Sequence, residues 1–462
     1  MEPLIFGRER SAFTMKSSPL QKGKKKKKNP QGNASKKENT LFKTLLEIGQ
    51  SHILQEFIET PLDALRIESL ENWVQQLELF FQPMGGLIGM QKKIGELLYS
   101  KEKNIPECTP FEPKFLKFEK EKWLKGIYLQ QNLLEIVVLG GAAERLNFVD
   151  EWTGEPLPAF LYPFLGKPLL EWILLDIESK ERLYFEYFQK TILTPILFMT
   201  SASKKNRDLL EQFLESKNYF NRPKESFHFT EQPLVPYVDR SGKWCLDSFK
   251  NVDKGPCGHG AIWSLLVHME TFQGLKKEKT HALIRQINNP LLCFFESLPL
   301  YTEAAIESKS DFSLLVTDCA TGTKEGKIVQ KKGGGFTNIE YVHVEQNELE
   351  GYANVNAIMV KLETIEQHVH KDPYPGLLLN FKNEEKARLE MSMQNLVDVI
   401  DGVLVCHLPR ELALAAIKKG GKGIETAEEA SLLLLEVLKK YSFQKVELSE
   451  LTPYISRKYS LE

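Results

Sequence analysis

The sequence lacks the features of a membrane-spanning or secreted protein. No apolar run reaches the length of a bilayer, and no hydrophobic segment near the amino terminus precedes a small-residue cleavage site. Cysteine is scarce: six residues are scattered over 462 positions, and none forms a Cys-x-x-Cys pair. We therefore expect reduced thiols, a cytoplasmic location, no membrane span and no structural zinc site.

The chain as a whole also lacks a charge excess, since its formal net charge is −2. That balance conceals a basic segment: residues 1–39 carry eleven Lys and Arg against three Glu, which is +8 and leaves −10 for the remainder. The Lys24–Lys28 run lies among Ser, Gly, Asn and Pro, a composition that buries too little apolar surface to fold alone. We expect a disordered tail, and we disfavour nucleic-acid binding because no aromatic residue is interleaved with the lysines.

Hydrophobic periodicity divides the rest of the chain. Apolar residues at helical spacing predict a helical region over residues 40–134. From residue 135 short apolar runs alternate with amphipathic segments, which predicts an α/β domain with a mostly parallel sheet over residues 135–395. Residues 396–462 are expected to form a small carboxy-terminal α/β subdomain. The predicted helices cover 169–188, 204–216, 261–272, 412–418 and 428–440, and the predicted strands 136–139, 195–199, 227–229, 283–287 and 312–316.

One stretch has the form of an anion-binding turn. The apolar run that ends at Leu139 is followed at once by Gly140 and Gly141. A strand that enters a glycine turn brings backbone N–H groups close to a bound phosphate, although an ordinary turn at a strand end has the same pattern. Thr200-Ser201 and Asn288-Asn289 follow two other predicted strands, so we expect all three pairs to line one crevice at the carboxyl ends of the strands.

A set of short motifs in this region resembles the UDP-sugar pyrophosphorylases, and most closely their plastid-type UDP-glucose branch. The resemblance covers roughly residues 135–395 and implies a Rossmann-like nucleotide-diphospho-sugar transferase fold. The motifs occur in chain order as Leu139-Gly140-Gly141, Arg145-Leu146, Pro168-Leu-Leu-Glu171, Met199-Thr-Ser201, Phe229-Thr-Glu-Gln232, Pro256-Cys-Gly-His-Gly260, Gln286-Ile-Asn-Asn-Pro290, Ile339-Glu-Tyr341, Ala353-Asn-Val-Asn356, Asn380-Phe-Lys382 and Arg388-Leu-Glu390.

The resemblance implies a reaction and its partners. An enzyme of this family transfers UMP from UTP to a sugar 1-phosphate: a phosphate oxygen attacks the α-phosphorus in line and pyrophosphate leaves. Such chemistry requires a backbone cradle for anions, several cations and usually Mg²⁺ on the phosphates. UTP, a sugar 1-phosphate and Mg²⁺ are therefore the expected ligands, and the oligomeric state stays open.

The resemblance also assigns roles on the nucleotide side. The bend Leu139, Gly140 and Gly141 would hold the nucleotide, and Gln232 would read the uracil edge, since an amide offers both a donor and an acceptor. Gly258 would cover the uridine. His259 would lie near the α-phosphate, as a hydrogen-bond donor or partly charged at neutral pH.

The remaining roles concern the sugar, the phosphates and the metal. Glu340 and Asn356 would bind sugar hydroxyls, although a pair of strand-edge polar residues satisfied by neighbours is equally consistent with the pattern. Arg145 and Lys382 would act on the phosphates, and Lys382→Ala is predicted to impair turnover more than folding. Asn288 would contact the nucleotide and the Mg²⁺. Thr200 and Ser201 are interpreted as helix caps rather than ligands.

The sequence departs from the family pattern at functional positions. Glycines of the usual loop signature are replaced by Ala143 and Asn147, of which Asn tolerates the left-handed conformation better. The phosphate-binding lysine that normally follows Pro158 is Ala159, so Arg145, Lys167 or Lys382 would have to replace it. The usual metal-binding Asp is Asn288, a weaker Mg²⁺ ligand.

The sequence therefore predicts a uridylyltransferase that forms UDP-sugar, with glucose 1-phosphate as the first candidate. N-acetylglucosamine 1-phosphate and galactose 1-phosphate are alternatives. Because of the departures, a catalytically silent nucleotide-binding protein of the same fold is the alternative from a different class.

Overall fold

The computed structural model describes residues 41–54, 64–100, 105–141, 144–294, 296–323, 325–340 and 351–440. The predicted tail 1–39 lies outside these ranges, as do Ala143 and residues 441–462. Helical segments cover residues 41–47 and 51–54. The helices that follow are α1 (Ala64–Phe80), α2 (Gly86–Tyr99), α3 (Lys120–Leu129), α4 (Leu169–Phe188), α5 (Asn206–Ser216), α6 (Ala261–His268), α7 (Glu270–Glu278), α8 (Ser297–Glu307), α9 (Ile365–Lys371), α10 (Arg410–Ala413) and α11 (Ala427–Lys440).

Strands occur from residue 108 to residue 407. They are β1 (Cys108–Thr109), β2 (Lys114–Phe115), β3 (Leu133–Val138), β4 (Pro163–Phe164), β5 (Lys167–Pro168), β6 (Ile196–Ser201), β7 (Phe227–Gln232), β8 (Leu234–Pro236), β9 (Lys254–Pro256), β10 (His281–Gln286), β11 (Phe312–Thr317), β12 (Lys327–Lys331), β13 (Phe336–Ile339), β14 (Tyr352–Lys361), β15 (Leu378–Phe381), β16 (Ala387–Glu390) and β17 (Leu404–His407).

Within the described part of the chain, eleven strands form one mixed sheet with helices on both faces. Its main path runs β2-β17-β11-β14-β10-β3-β6-β7, and β12 joins β14 at the side. The pairs of β3 with β10, β3 with β6 and β6 with β7 are parallel, whereas β14 is antiparallel to β10 and β11. The sheet therefore confirms the α/β class with a mixed, mostly parallel sheet.

Strand β3 shows why this segment is buried on both faces. Val137 packs in one core cluster with α4 and α5, and its neighbours Ile136 and Val138 pack on the other side with α6 and α7. All six residues of the strand are buried. A continuous apolar run fits a central parallel strand, because helices cover both faces of such a sheet.

A buried cluster of four charges joins the central strands to α4. Glu135 of β3 contacts Lys180 at 2.8 Å and Arg285 of β10 at 3.1 Å, and Asp176 contacts the same two cations at 3.1 Å and 2.9 Å. None of the four side chains is more than 2% exposed. The two negative and two positive charges sum to zero, and each group contacts two groups of opposite charge. These contacts offset the cost of removing the four charges from water.

The helical amino-terminal region packs on two small hairpins of the main domain, β8–β9 and β15–β16. The Trp73 indole N–H donates to the Leu234 carbonyl at 2.7 Å, and the Tyr374 hydroxyl donates to the Phe80 carbonyl at 2.7 Å. The Gln91 amide donates to the Gly242 carbonyl at 2.7 Å. One apolar cluster contains residues of both regions, so these helices are part of the same folded unit as the hairpins.

Two predicted helices differ from the structure. Helix 261–272 is divided, since α6 ends at His268 and Met269 is extended before α7. The prediction of a helix over residues 412–418 is wrong, since α10 ends at Ala413 and Leu414 is extended. The Asn289 side chain hydrogen-bonds to the backbone of Ala413 and Ala415 and holds the chain in this form. Tertiary hydrogen bonds outweigh the local helical pattern here.

The expected carboxy-terminal subdomain is continuous with the main domain over its described residues. Strand β17 pairs in parallel with β11 inside the main sheet. Helix α11 contributes Leu434 and Val437 to the core cluster that also contains α4. Residues 396–440 therefore complete the main sheet and core.

Candidate functional site

The carboxyl ends of four neighbouring strands form the floor of the candidate site. Strand β3 ends at Val138, which pairs with Gln286 of β10. Gly140 and Asn288 each lie two residues beyond that pair, on adjacent strands. On the other side of β3, β6 and then β7 follow in parallel, and β7 ends at Gln232. The topology therefore brings the glycine bend, Asn288 and Gln232 to one edge of the sheet.

The glycine bend is in close contact with Gln232. A Cβ atom on Gly140 would lie 1.8 Å from the Gln232 amide nitrogen and 2.9 Å from the Thr200 carbonyl oxygen. A Cβ atom on Gly141 would meet nothing within 4 Å. Glycine at position 140 is thus required by packing, whereas position 141 faces open space that a ligand can enter.

Two buried amide oxygens next to this bend have no protein partner among the described residues. Gln232 is 2% exposed, and its Oε1 atom accepts no hydrogen bond. Asn206, at the start of α5, donates to the Leu139 carbonyl at 3.1 Å, and its Oδ1 atom is also unsatisfied. Buried acceptors normally have donors, so this pair favours a ligand that carries N–H or O–H groups. Asn206 is a residue that the sequence motifs did not single out.

The segment around His259 is fixed by the chain that follows β16. Gly258 has φ +93°, and a Cβ atom there would lie 2.5 Å from the Met391 carbonyl oxygen. A Cβ atom on Gly260 would lie 2.7 Å from the Cβ of Met391. The Met393 N–H donates to Nδ1 of His259 at 2.9 Å. Both glycines are therefore required for the close approach that sets the imidazole in place.

His259 is neutral at physiological pH. Burial lowers the pKa of His259 to about 4. Since Nδ1 accepts the Met393 N–H, the proton of the neutral ring is on Nε2, which makes Nε2 a hydrogen-bond donor. Of the two alternatives for His259, a neutral hydrogen-bond donor is therefore favoured over a partly charged ring, because desolvation disfavours the imidazolium.

A network of amide, hydroxyl and carboxylate groups includes the predicted sugar-binding residues Glu340 and Asn356. Asn338 donates to Glu340 at 2.8 Å, and burial raises the pKa of Glu340 although the Asn338 bond and nearby Lys418 lower it. Asn356, with φ +61°, accepts a hydrogen bond from Gln394, which in turn accepts one from Ser392 at 2.8 Å. The Asn338 amide also donates to the Ser392 hydroxyl at 3.5 Å, so Glu340 and Asn356 belong to one connected polar network.

Lys382 lies on the β15–β16 hairpin. It is exposed in the turn between β15 and β16, where its N–H donates to the Lys386 carbonyl at 2.8 Å. Its Nζ atom lies 5.6 Å from the ring centroid of Tyr237. The structure therefore places Lys382 on the β15–β16 hairpin, and its predicted role on the phosphates stays a prediction.

A different lysine segment contacts the floor of the site, and we call residues 417–423 the lysine–glycine loop. The Ile417 N–H donates to the Asn288 carbonyl at 2.7 Å, and the Gly420 N–H donates to the Arg145 carbonyl at 3.4 Å. A Cβ atom on Gly420 would lie 2.5 Å from the Leu146 carbonyl oxygen. The structure thus brings Lys418 beside Asn288 and the Arg145 turn.

Our sequence reasoning missed Lys418. The available signal was the run Lys418-Lys419-Gly420-Gly421-Lys422-Gly423, a basic and glycine-rich stretch with the composition of an anion-binding loop. Arg145 is exposed beside it, and Asn147 adopts φ +47°, the left-handed conformation that Asn tolerates.

The structure also places the remaining residues that the sequence analysis singled out around the site. Ala159 is 9% exposed and begins a short turn against the α4 core. The Nζ atom of Lys167 lies 5.1 Å from the ring centroid of Trp172. Thr200 and Ser201 are buried inside β6, and α5 has no side-chain cap, so their interpretation as helix caps is wrong.

The described residues do not provide a resident metal site. None of them forms a group of three or more His, Cys, Asp or Glu side chains able to hold an ion. The predicted ligand Asn288 offers one neutral amide oxygen. This donor set fits a Mg²⁺ ion that arrives on nucleotide phosphates and keeps water and phosphate oxygens as its other ligands.

In the part of the chain that the structure describes, no helix is both long enough and apolar enough to span a bilayer.

Solved structures with a similar fold include two sugar-nucleotide enzymes. In overall fold the chain is similar to a UDP-N-acetylglucosamine pyrophosphorylase from Trypanosoma brucei, with a TM-score of 0.72, 18% identity and coverage of 89% of this chain and 87% of that one. It is also similar to a UDP-glucose phosphorylase from the same organism, with a TM-score of 0.56, 16% identity and coverage of 75% and 77%.

Sequence relatives are closer in identity but longer than this chain. UTP–glucose-1-phosphate uridylyltransferase 3, chloroplastic, of Arabidopsis thaliana is 30% identical in an alignment 403 positions long, which covers 73% of this chain and 45% of the relative. The UDP-sugar pyrophosphorylase of the same plant is 27% identical in an alignment 338 positions long, which covers 67% of this chain and 51% of the relative. The chain thus spans about half the length of these relatives. The family model for UTP–glucose-1-phosphate uridylyltransferase matches residues 171–445, more than half of the sequence, and the chain therefore belongs to the UTP–glucose-1-phosphate uridylyltransferase family.

Proposed function

We propose that this chain transfers UMP from UTP to a sugar 1-phosphate and releases pyrophosphate. The observation that carries the proposal is the convergence of three features on one sheet edge. A buried, unsatisfied acceptor on Gln232, an open glycine bend at Gly141 and the lysine–glycine loop at Asn288 all meet there. A uracil ring brings an N–H donor for Gln232, and the triphosphate brings negative charge for the lysines.

The protein's part in the reaction is positioning and charge neutralisation. The sugar-phosphate oxygen forms a bond to the α-phosphorus, the bond to the β-phosphate oxygen breaks, and pyrophosphate departs. His259 Nε2–H donates to the α-phosphate, and Arg145 and Lys418 neutralise the charge of the departing phosphates. Mg²⁺, held by the nucleotide and by Asn288, would supply further neutralisation of phosphate charge.

We propose glucose 1-phosphate as the sugar substrate. The Glu340–Asn356 side of the site consists of amides, a carboxylate and a hydroxyl, which suits a ligand rich in hydroxyl groups. One relative is named for glucose 1-phosphate. N-acetylglucosamine 1-phosphate and galactose 1-phosphate are the competing substrates to be compared.

A silent nucleotide-binding protein is the second candidate, and two residues favour it. Ala159 and Asn288 stand where the family pattern has a lysine and an aspartate, and losing an oriented charge of this kind costs about a hundredfold in rate or more. The position of Lys418 supports the enzyme instead, since it offers a cation at the same strand edge.

The test is pyrophosphate release from UTP with each of three sugar 1-phosphates, with and without Mg²⁺. We expect Mg²⁺-dependent release that is fastest with glucose 1-phosphate. UTP binding without turnover on every sugar would support the silent protein. The cytoplasmic location stays a prediction from the scattered cysteines, and the relative named above is chloroplastic.

A further inference from the structure

The side chain of Glu425 contacts two of the three lysines of the lysine–glycine loop. Its carboxylate contacts Lys418 Nζ at 2.8 Å and Lys419 Nζ at 3.3 Å, and the Glu425 side chain is 3% exposed. Burial raises the pKa of Glu425, but the hydrogen bonds and charges of the two lysines lower it further, so its pKa lies below the usual range. Glu425 is therefore charged, buried and paired with two cations.

The backbone of Glu425 binds the same two residues. Its carbonyl accepts the N–H of Lys418 at 2.8 Å and that of Lys419 at 3.0 Å. Its φ is +63°, a conformation that a residue with a long side chain seldom adopts and that its surroundings must maintain. A single residue thus fixes both the main chain and the side chains of Lys418 and Lys419.

Helix α11 supports this arrangement from the other side. Glu429 accepts the Glu425 N–H at 2.6 Å, and Thr426 accepts the Glu429 N–H at 3.3 Å, which forms a cap at the start of the helix. The Glu425 carboxylate lies just before the helix amino terminus, where negative charge is stabilised. Glu425 is consequently anchored to a rigid element of the main core.

We propose that Glu425 is a positioning residue that aligns Lys418 for the phosphates of the nucleotide. The inference rests on the proposed uridylyl transfer, since it assigns Glu425 a role through Lys418. Without this counter-ion the two lysines repel each other and lose their fixed approach to the site, and a displacement of about 1 Å can lower a rate on the order of a hundredfold.

The Glu425 carboxylate can stay bonded to Lys418 both before and after a nucleotide binds. An ammonium group has three donors, so Lys418 can keep its bond to Glu425 while it donates to a phosphate oxygen. Lys419 is more exposed than Lys418, 42% against 17%, so solvent reaches its side chain more readily while it contacts Glu425. Glu425 thus limits the motion of the lysines without blocking them.

The test is a double-mutant cycle on the full chain, with Lys418→Ala, Glu425→Gln and the two together. If Glu425 acts through Lys418, Glu425→Gln lowers kcat about tenfold or more in the wild-type background and leaves kcat unchanged in the Lys418→Ala background. A purely structural role would lower kcat by the same factor in both backgrounds and would overturn the proposal. Unchanged kcat in Glu425→Gln would overturn it as well.

Controls separate positioning from general damage. Glu428→Gln removes a half-exposed carboxylate that lies 3.8 Å from Lys422, and it is expected to leave kcat unchanged. Glu425→Asp keeps the charge and should retain more activity than Glu425→Gln. If Glu425→Gln does not fold, Glu425→Asp replaces it in the cycle. An equal loss of kcat in the wild-type and Lys418→Ala backgrounds would then overturn the proposal. A wild-type chain without turnover on any sugar phosphate overturns the proposed function and this inference together, whereas turnover with an additive cycle overturns the inference alone.

Discussion

Lys418 and Lys382 are both lysines in loops, but only one of them is tied to the floor of the site. Lys418 follows a residue that is hydrogen-bonded to Asn288, whereas Lys382 is exposed in a hairpin turn. The family motif at Lys382 was readable in the sequence because it is a local pattern. The position of Lys418 near Asn288 could not be predicted from the sequence, because a contact between residues more than a hundred positions apart leaves no local pattern.

We expect Lys418→Ala to lower kcat about a hundredfold, since it removes an oriented cation from the departing phosphates. Lys382→Ala should lower kcat less than Lys418→Ala and should alter the thermal midpoint by no more than a few degrees, whereas Lys418→Ala leaves the buried Glu425 with one cation fewer and should lower the midpoint further. Steady-state kinetics of both variants, with thermal unfolding as the control, makes the comparison. A larger loss in Lys382→Ala would return the phosphate role to the hairpin.

A second expectation at this scale concerns the pH dependence of stability through His259. Its folded pKa of about 4 is below the ordinary value of 6.5, so the unfolded chain binds a proton that the folded chain does not. The free energy of unfolding therefore falls as the pH decreases from about 6.5 towards 4. His259→Asn, whose amide oxygen can still accept the Met393 N–H, should lose less stability over that interval.

Urea unfolding of the wild type and His259→Asn at pH 7 and pH 5 measures this difference. Burial also lowers the pKa of His281 to about 4, and its contribution is common to both proteins and cancels. Equal pH dependence in the two proteins would mean that the folded-state pKa of His259 is not lowered. At neutral pH the variant should also turn over about tenfold more slowly, because the Nε2 donor is gone.

Among the elements, the turn after β3 requires glycine at position 140, because a Cβ there would overlap the Gln232 amide. Sequence alone indicated its strand, its glycines and the full extent of α4, because an apolar run and a long amphipathic helix are strong local signals. The 414–418 segment was assigned wrongly as helix, since its apolar spacing is helical while Asn289 holds it extended. Local patterns thus identified elements that are stable by themselves and failed where a distant side chain decides the conformation.

Gly140→Ala should abolish UTP binding or weaken it more than tenfold, because the new Cβ overlaps the Gln232 amide. Gly141→Ala should have a smaller effect, since its Cβ enters open space. Gly95→Ala, in α2 with nothing near its Cβ, serves as the control and should leave binding unchanged. Calorimetric titration with UTP gives the three affinities, and equal binding by Gly140→Ala and wild type would contradict the described packing.

The whole molecule is held together by contacts that composition and periodicity do not encode. The α/β class and the helical nature of residues 64–99 follow from the pattern of apolar residues. Their docking on the β8–β9 and β15–β16 hairpins does not, because no sequence period specifies a partner surface. Trp73 shows the result: its ring lies 5.4 Å from that of Trp244 and 3.9 Å from Lys254 Nζ.

Trp73→Ala should therefore lower the free energy of unfolding by about 3 to 5 kcal/mol, the usual loss for a large buried aromatic. Trp152→Ala is the matched control, since Trp152 is 94% exposed and should change stability by less than about 0.5 kcal/mol. Urea denaturation compares the two. A small effect of Trp73→Ala would mean that the amino-terminal helices contribute little to the unit that carries the site.

The four charges buried between β3, β10 and α4 restrict how this family can diversify. Replacing any one of Glu135, Asp176, Lys180 and Arg285 leaves its partners charged in an apolar interior, whereas exchanging all four for apolar residues of similar volume removes that penalty. In related chains we therefore expect the quartet to be inherited intact or to vanish as a group, with half-converted intermediates eliminated by selection.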